Sequence, residues 1–298
     1  TASPEPEPEG PASAVLLSYL DQQVEALKRH DPGVRANAPD AVHQLRVAAR
    51  RIRSVLATFR KLTDTGAAGS LRSELQWLAG SVGEARDNEV MQARLLELVG
   101  AEPPELLLGP VAQQIEDHLG AVAHGARAKG LAALNSARYF RLLDALDAFL
   151  ADPPLTETAG KEATRTVGRL VTKERKRLKK EVGALGDDHA SPALDAELHD
   201  VRKRAKRLRY AAEASAPIFG KPATVLARAA EEIQESLGDH HDSVVTRDLL
   251  RQLASDDAGA NAFTYGRLHA LEQQGGEDAR ERFFRTWRTS PPQPLRWK

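Results

Sequence analysis

The chain has 298 residues, with 42 Lys and Arg against 42 Asp and Glu, a formal net charge of zero, no Cys and 5% aromatic residues. The lack of Cys excludes disulfides and thiolate metal sites, and no apolar run approaches the ~20 residues that cross a bilayer. The length is enough for a sizeable core, as one large domain or two ordinary ones.

Residues 1–12, Thr-Ala-Ser-Pro-Glu-Pro-Glu-Pro-Glu-Gly-Pro-Ala, read as an acidic, Pro-rich linker that cannot fold alone, with a further domain expected in front of it. They lack a signal-peptide pattern. Beyond them the sequence reads as helix, at roughly 13–30, 39–62, 70–85, 87–99, 110–130, 136–151, 156–183, 192–216, 222–238, 242–255, 260–274 and 277–289. Pro39 and Pro192 sit at or near helix starts, Pro103-Pro104 and Pro153-Pro154 punctuate the chain, and Gly83 and Gly238 read as helix ends. No run alternates with period two, so no sheet is expected.

The second of these helices carries His43-Gln-Leu-Arg46-Val-Ala-Ala-Arg50-Arg51-Ile-Arg53. At about 100° per residue, His43, Arg46, Arg50 and Arg53 share an arc of about 80°, while Leu45, Ala49, Ile52, Leu56 and Phe59 form an apolar stripe elsewhere. The helix at 156–183 carries a second stripe, Arg165, Arg169, Lys173, Lys176 and Lys180. The helix at 192–216 then repeats the first phrase 156 positions later, as His199-Asp-Val-Arg202-Lys-Arg-Ala-Lys206-Arg207-Leu-Arg209. Gly83-Glu84-Ala-Arg86-Asp87 returns as Gly238-Asp239-His-His241-Asp242, offset by 155. Two matches at nearly equal offsets imply an internal duplication, with halves of about 13–155 and 156–298. Residues 43–53, 199–209 and 161–181 carry +4, +5 and +6, so the rest of a formally neutral chain carries −15. Like charges at these spacings repel along a helix, and a polyanion is the simplest partner to offset that cost.

Two other chemistries compete. Asp239-His240-His241-Asp242, with His43 or His199, invites a metal-dependent phosphohydrolase. Adjacent helical residues diverge, however, and the first copy keeps only Glu84 and Asp87, so Asp87 and Asp242 read instead as helix caps or as partners of basic residues. A nucleic-acid-binding protein is the other alternative. Few aromatics interleave with the basic stripes, Tyr210 being the exception, so base stacking has little support. Phosphate-loop, dinucleotide-loop and zinc-protease motifs are absent.

The paired His-x-x-Arg-x-x-x-Arg-Arg-x-Arg helices, each followed by a Gly-containing segment leading to an Asp, resemble the conserved histidine α-helical domain, CHAD. The resemblance runs from about residue 13 to 298. It implies an all-α fold of two pseudo-symmetric bundles with a basic cavity or groove between them, binding inorganic polyphosphate without hydrolysis. It also implies a preceding triphosphate-processing domain in many members. Carried over by position, the site is His43, Arg46, Arg50 and Arg53 with His199, Arg202, Lys206 and Arg209; Arg51, Arg207, Arg165, Arg169, Lys173 and Lys176 join it as neighbouring cations. Lys206 departs from its counterpart Arg50 and lacks the bidentate fork. Ala85-Arg86 against His240-His241 argues against a symmetric histidine there. No metal, cofactor, catalytic residue or membrane partner is expected. The expected location is the cytoplasm, with polyphosphate granules as one destination.

Overall fold

The computed structural model describes residues 5–186, 193–256 and 259–295, so the expected helix start at Pro192 lies outside the described residues. Nine α-helices account for most of what is described: α1 (Ala12–Arg35), α2 (Ala41–Thr58), α3 (Thr65–Ala101), α4 (Val111–Leu134), α5 (Ala137–Ala151), α6 (Ala163–Val182), α7 (Ala193–Phe219), α8 (Lys221–Asp256) and α9 (Asn261–Thr289). Among the described residues there is no strand, only two isolated bridges, Pro11 with Glu162 and Thr63 with Leu155. The chain is all-α, as expected.

Three expected breaks are not breaks. α3, α8 and α9 each run unbroken through Gly83, Gly238 and Gly275-Gly276. Gly83, Gly238 and Gly276 are buried because neighbouring side chains lie on them; a Cβ on Gly276 would come within 2.5 Å of the Ser243 hydroxyl. A glycine that gives room to a side chain carries the same one-letter signal as one that ends a helix. Asp87 and Asp242 therefore cap nothing. In contrast, α6 starts later than expected, because residues 157–160 form a 3-10 turn.

Apolar burial falls into two separate clusters. The larger joins α1, α2, α5, α6 and α7 with the near ends of α3, α4, α8 and α9, around Leu45, Ile52, Leu75, Val201, Leu208 and Ile233. The smaller joins the far ends of those four long helices through Leu95, Val99, Ile115, Leu250, Tyr265 and Leu268. Each fully buried aliphatic side chain here stabilises by roughly 1.5–3 kcal/mol. Between the clusters lies a polar waist. No residue from 84 to 94 of α3 is buried, and the buried residues on α8 there are His240, Ser243 and Thr246.

The waist is held by specific contacts. Arg94 makes two 2.7 Å hydrogen bonds to the buried Glu272, and Ser243 donates to the Glu272 carbonyl. Thr246 contacts the Met91 sulfur at 3.0 Å. At the other end of the molecule, the end of the expected linker lies against the start of α6. Ala12 N donates to the Lys161 carbonyl at 2.9 Å, and Ala163 N to the Gly10 carbonyl at 2.8 Å.

Candidate functional site

α2 and α7 pack against each other beside the waist. Leu45, Ala49 and Ile52 of α2 and Val201, Ala205 and Leu208 of α7 are buried, which leaves Arg46, Arg50, Arg202 and Lys206 half-buried at the margin. Arg46 reaches across to α3 and grips Asp87 with both terminal nitrogens, at 2.6 and 3.1 Å. It lies so close over the helix that a Cβ on Gly83 would come within 2.7 Å of its Cζ. Arg202 lies over Gly238 in the same way, with its Nη2 3.2 Å from the position a Cβ would take. Its Nε is buried without a hydrogen-bond partner among the described residues.

Between them stand Arg50 and Lys206. Arg50 Nε donates to the Tyr210 hydroxyl at 3.0 Å. Lys206 makes no ion pair within 4.0 Å among the described residues. Burial, and after it the charges of Arg202, Arg50 and Arg46, push its pKa down to about 7, with Asp242 opposing. Arg202 is lowered in turn, by burial first, with Arg50 adding to the shift and Asp242 opposing it. Cations of α2 and α7 thus share one electrostatic neighbourhood.

Comparison with known proteins gives the family. The CHAD domain family matches residues 18–251. The chain belongs to the CHAD family. Two uncharacterized proteins of Mycobacterium tuberculosis, from strains CDC 1551 / Oshkosh and ATCC 25618 / H37Rv, are each 39% identical over 276 residues, 92% of this chain. The chain spans about half of their length, 52% in each case. Among solved structures, the CHAD domain from the plant Ricinus communis superposes with TM-score 0.78 at 26% identity, covering 99% of this chain and 97% of that one. PptA from Streptomyces chartreusis superposes with TM-score 0.76 at 26% identity, covering 94% of this chain and 100% of that one.

The two histidines that begin the CHAD phrases are not equivalent. His43 is exposed on the first turn of α2. His199 is half-buried, its ring centroid 4.4 Å from that of His241, and its Nδ1 is buried without a partner among the described residues. Burial, then the neighbouring cations, hold both His199 and His241 below the ordinary imidazole range, so both favour the neutral form.

The remaining cations divide into three groups. Arg51 and Arg209 converge on Glu213: Arg51 Nε lies 3.3 Å from one carboxylate oxygen, Arg209 Nε donates to the other at 2.7 Å, and Tyr19 donates as well. Arg209 also pairs with Glu231 at 2.8 Å, whereas Arg53 donates to the neutral Gln76 at 2.8 Å. Arg207 turns towards α6, in reach of Glu174, Arg204, Arg177 and Arg72. On α6, Arg165, Arg169, Lys173 and Lys176 are exposed, and none makes an ion pair or hydrogen bond among the described residues.

The expected tetrad on α8 points in four directions. Asp239 pairs with Arg282 at 2.7 Å. The buried His240 bridges the Gly276 carbonyl and Asp195, each at 3.0 Å. His241 lies against His199, and Asp242 faces Arg202. Among the described residues, no three His, Cys, Asp or Glu side chains are placed to hold one ion. Sequence reasoning also passed over Arg72, Gln76 and Glu231. The 155-residue offset aligns Gln76 with Glu231 and was signal enough to find that pair.

Proposed function

We propose that this chain binds inorganic polyphosphate, without hydrolysing it, on the joined basic faces of α2 and α7. A groove shared by two halves, and the duplication that would generate them, belong to this reading. The observation that carries it is the setting of Lys206, half-buried among Arg46, Arg50 and Arg202 with no carboxylate in contact among the described residues. Such crowding destabilises the charged ammonium, and a multivalent anion relieves it. A phosphate chain is thin and offers charges in series. Each exposed contact is worth only about 1 kcal/mol in water, so a single phosphate binds weakly. Eight in series approach ~8 kcal/mol, which corresponds to roughly micromolar dissociation. Binding of this kind weakens steeply with salt.

The reading assigns no catalysis to this chain. The longer relatives leave room for other domains, and a triphosphate-processing domain on the same polypeptide, in the cytoplasm, is part of the proposal. The test is titration with long polyphosphate, and with duplex DNA and RNA of equal charge, at one moderate salt concentration with divalent metal present. Polyphosphate is expected to bind tighter than either nucleic acid, with no phosphate released. Equal or tighter nucleic-acid binding overturns the ligand assignment. Metal-dependent release that is lost in an Asp239→Asn/Asp242→Asn variant overturns the non-catalytic one.

A further inference from the structure

Beyond the central cluster the two basic faces end differently. At the outer end of α7, Arg209 is neutralised by Glu213 and Glu231. At the outer end of α2, Arg53 has only the Gln76 amide, and next to it on α3 stands Arg72, exposed and without an ion pair among the described residues. Arg72 is in electrostatic reach of both Arg53 and Arg207, and Arg207 in turn of Arg204 and Arg177. Two carboxylates stand among these five guanidiniums: Glu174, held by Arg177, and Glu181, held by Arg204 at 3.0 Å. Arg177 is also the inner end of an i,i+4 row along α6, Arg165, Arg169, Lys173 and Arg177, whose neighbours lie about 5–6 Å apart at Cβ. The row is roughly 18 Å long, and its first three members are exposed.

We propose that bound polyphosphate leaves the central cluster in one direction, past Arg53, Arg72 and Arg207 and out along this α6 row, while Glu213 and Glu231 close the way past Arg209. This rests on the polyphosphate reading and adds a direction to it. It makes Arg72 and Arg177 ligand contacts, and it gives the solvated face of α6 a use that only long chains reach. A short chain settles where the positive potential is highest, at Lys206.

The experiment is titration of tripolyphosphate and of long-chain polyphosphate against the wild-type chain, an Arg72→Gln/Lys173→Gln variant and a Gln76→Glu variant. All three positions are exposed, so folding is not at stake. The double variant is expected to lose roughly tenfold in long-chain affinity with tripolyphosphate affinity unchanged. Gln76→Glu, which gives Arg53 the carboxylate that Arg209 has, is expected to lose several-fold with the same selectivity. Unchanged long-chain binding in both variants overturns the route, as does an equal loss for both chain lengths. Failure of the wild-type chain to bind either polyphosphate overturns the parent reading as well, which keeps the two failures distinct.

Discussion

α2 with α3, and α7 with α8, make the same steric arrangement and compensate its charge in opposite places. In both, an arginine crosses a glycine on the neighbouring long helix, Arg46 over Gly83 and Arg202 over Gly238. Yet Arg46 is saturated by Asp87, whereas among the described residues the buried Nε of Arg202 has no partner and Lys206 beside it no ion pair. At the outer ends the order reverses: Arg209 is neutralised and Arg53 is not. Uncompensated charge therefore runs diagonally, from the centre of α7 to the outer end of α2. Like sequence phrases fix where the cations stand, and their unlike partners decide which of them remain available to a ligand.

The largest effect is expected at the centre. An Arg50→Gln/Lys206→Gln variant removes one cation from each side, and hydrogen bonds to charged groups are worth about 1.5–3 kcal/mol each, so polyphosphate affinity should fall by roughly 100-fold or more. Calorimetry with a short chain reads stoichiometry in the same experiment. On one shared site, neutralising either side alone weakens binding without changing the number of chains bound. Two independent faces would instead leave half the capacity at unchanged affinity, and would dissolve the diagonal.

Lys206 also makes the comparison depend on pH. Its folded pKa is near 7 and its ordinary value 10.5. Between the two, the unfolded chain holds a proton that the folded chain has released, so stability rises with pH across that window, by up to about 1.4 kcal/mol per pH unit. Below about pH 7 the full penalty is present, and protonating His199 and His241, both lowered by burial, adds to it. Denaturant midpoints at two pH values on either side of 8 should show the rise. Polyphosphate favours the ammonium, so affinity should fall as pH rises above 7. Lys206→Arg places on α7 the permanently charged group that α2 already has at Arg50, and its affinity should be flat over the same range. A sloping profile in that variant would assign the titration to another group.

How much of this was legible beforehand follows from the kind of signal involved. The helices and their apolar stripes rest on local periodicity, and the burial of Leu45, Ile52, Val201 and Leu208 follows it. The repeated phrase picked out Arg46, Arg50, Arg202 and Lys206, because spacing along one helix fixes a shared face. Partners across helices carry no such local mark. Nothing near Arg207 in sequence says that it turns towards Arg177, or that His240 closes on Asp195 while His241 meets His199. The glycines misled for the same reason, since only the packed neighbour distinguishes an interior Gly83 from a helix end.

Those glycines supply a smaller test. Alanine inside a helix is favoured over glycine by up to about 1 kcal/mol. At Gly238 a new Cβ meets the tip of Arg202 at 3.2 Å, a contact that a small shift relieves. At Gly83 it meets the Arg46 guanidinium at 2.7 Å and must move it off Asp87. Gly238→Ala should therefore keep polyphosphate affinity and hold or gain stability. Gly83→Ala should hold stability within about 1 kcal/mol and, by releasing Arg46 from Asp87, raise affinity several-fold. Thermal unfolding and titration on the same samples separate the two, and equal behaviour would mean that the position of Arg46 does not matter to the ligand.

The smallest effect is expected at Glu231, half-buried on α8, where the comparison can be run backwards. Glu231→Gln gives Arg209 the amide that Arg53 already has, leaving Glu213 as its one carboxylate partner. The ion pair that is lost is partly exposed, so its removal should cost only about 0–1 kcal/mol of stability. The potential at the outer end of α7 becomes more positive by one charge, and long-chain polyphosphate should gain affinity by a few-fold at most. The gain should shrink as salt is raised, because the Debye length falls from about 10 Å at 0.1 M to about 3 Å at 1 M. Tripolyphosphate, seated at Lys206, should not register the change. A gain for the short chain equal to that for the long one would mean that Glu231 acts on the centre through the field of the whole face, and not by closing a path.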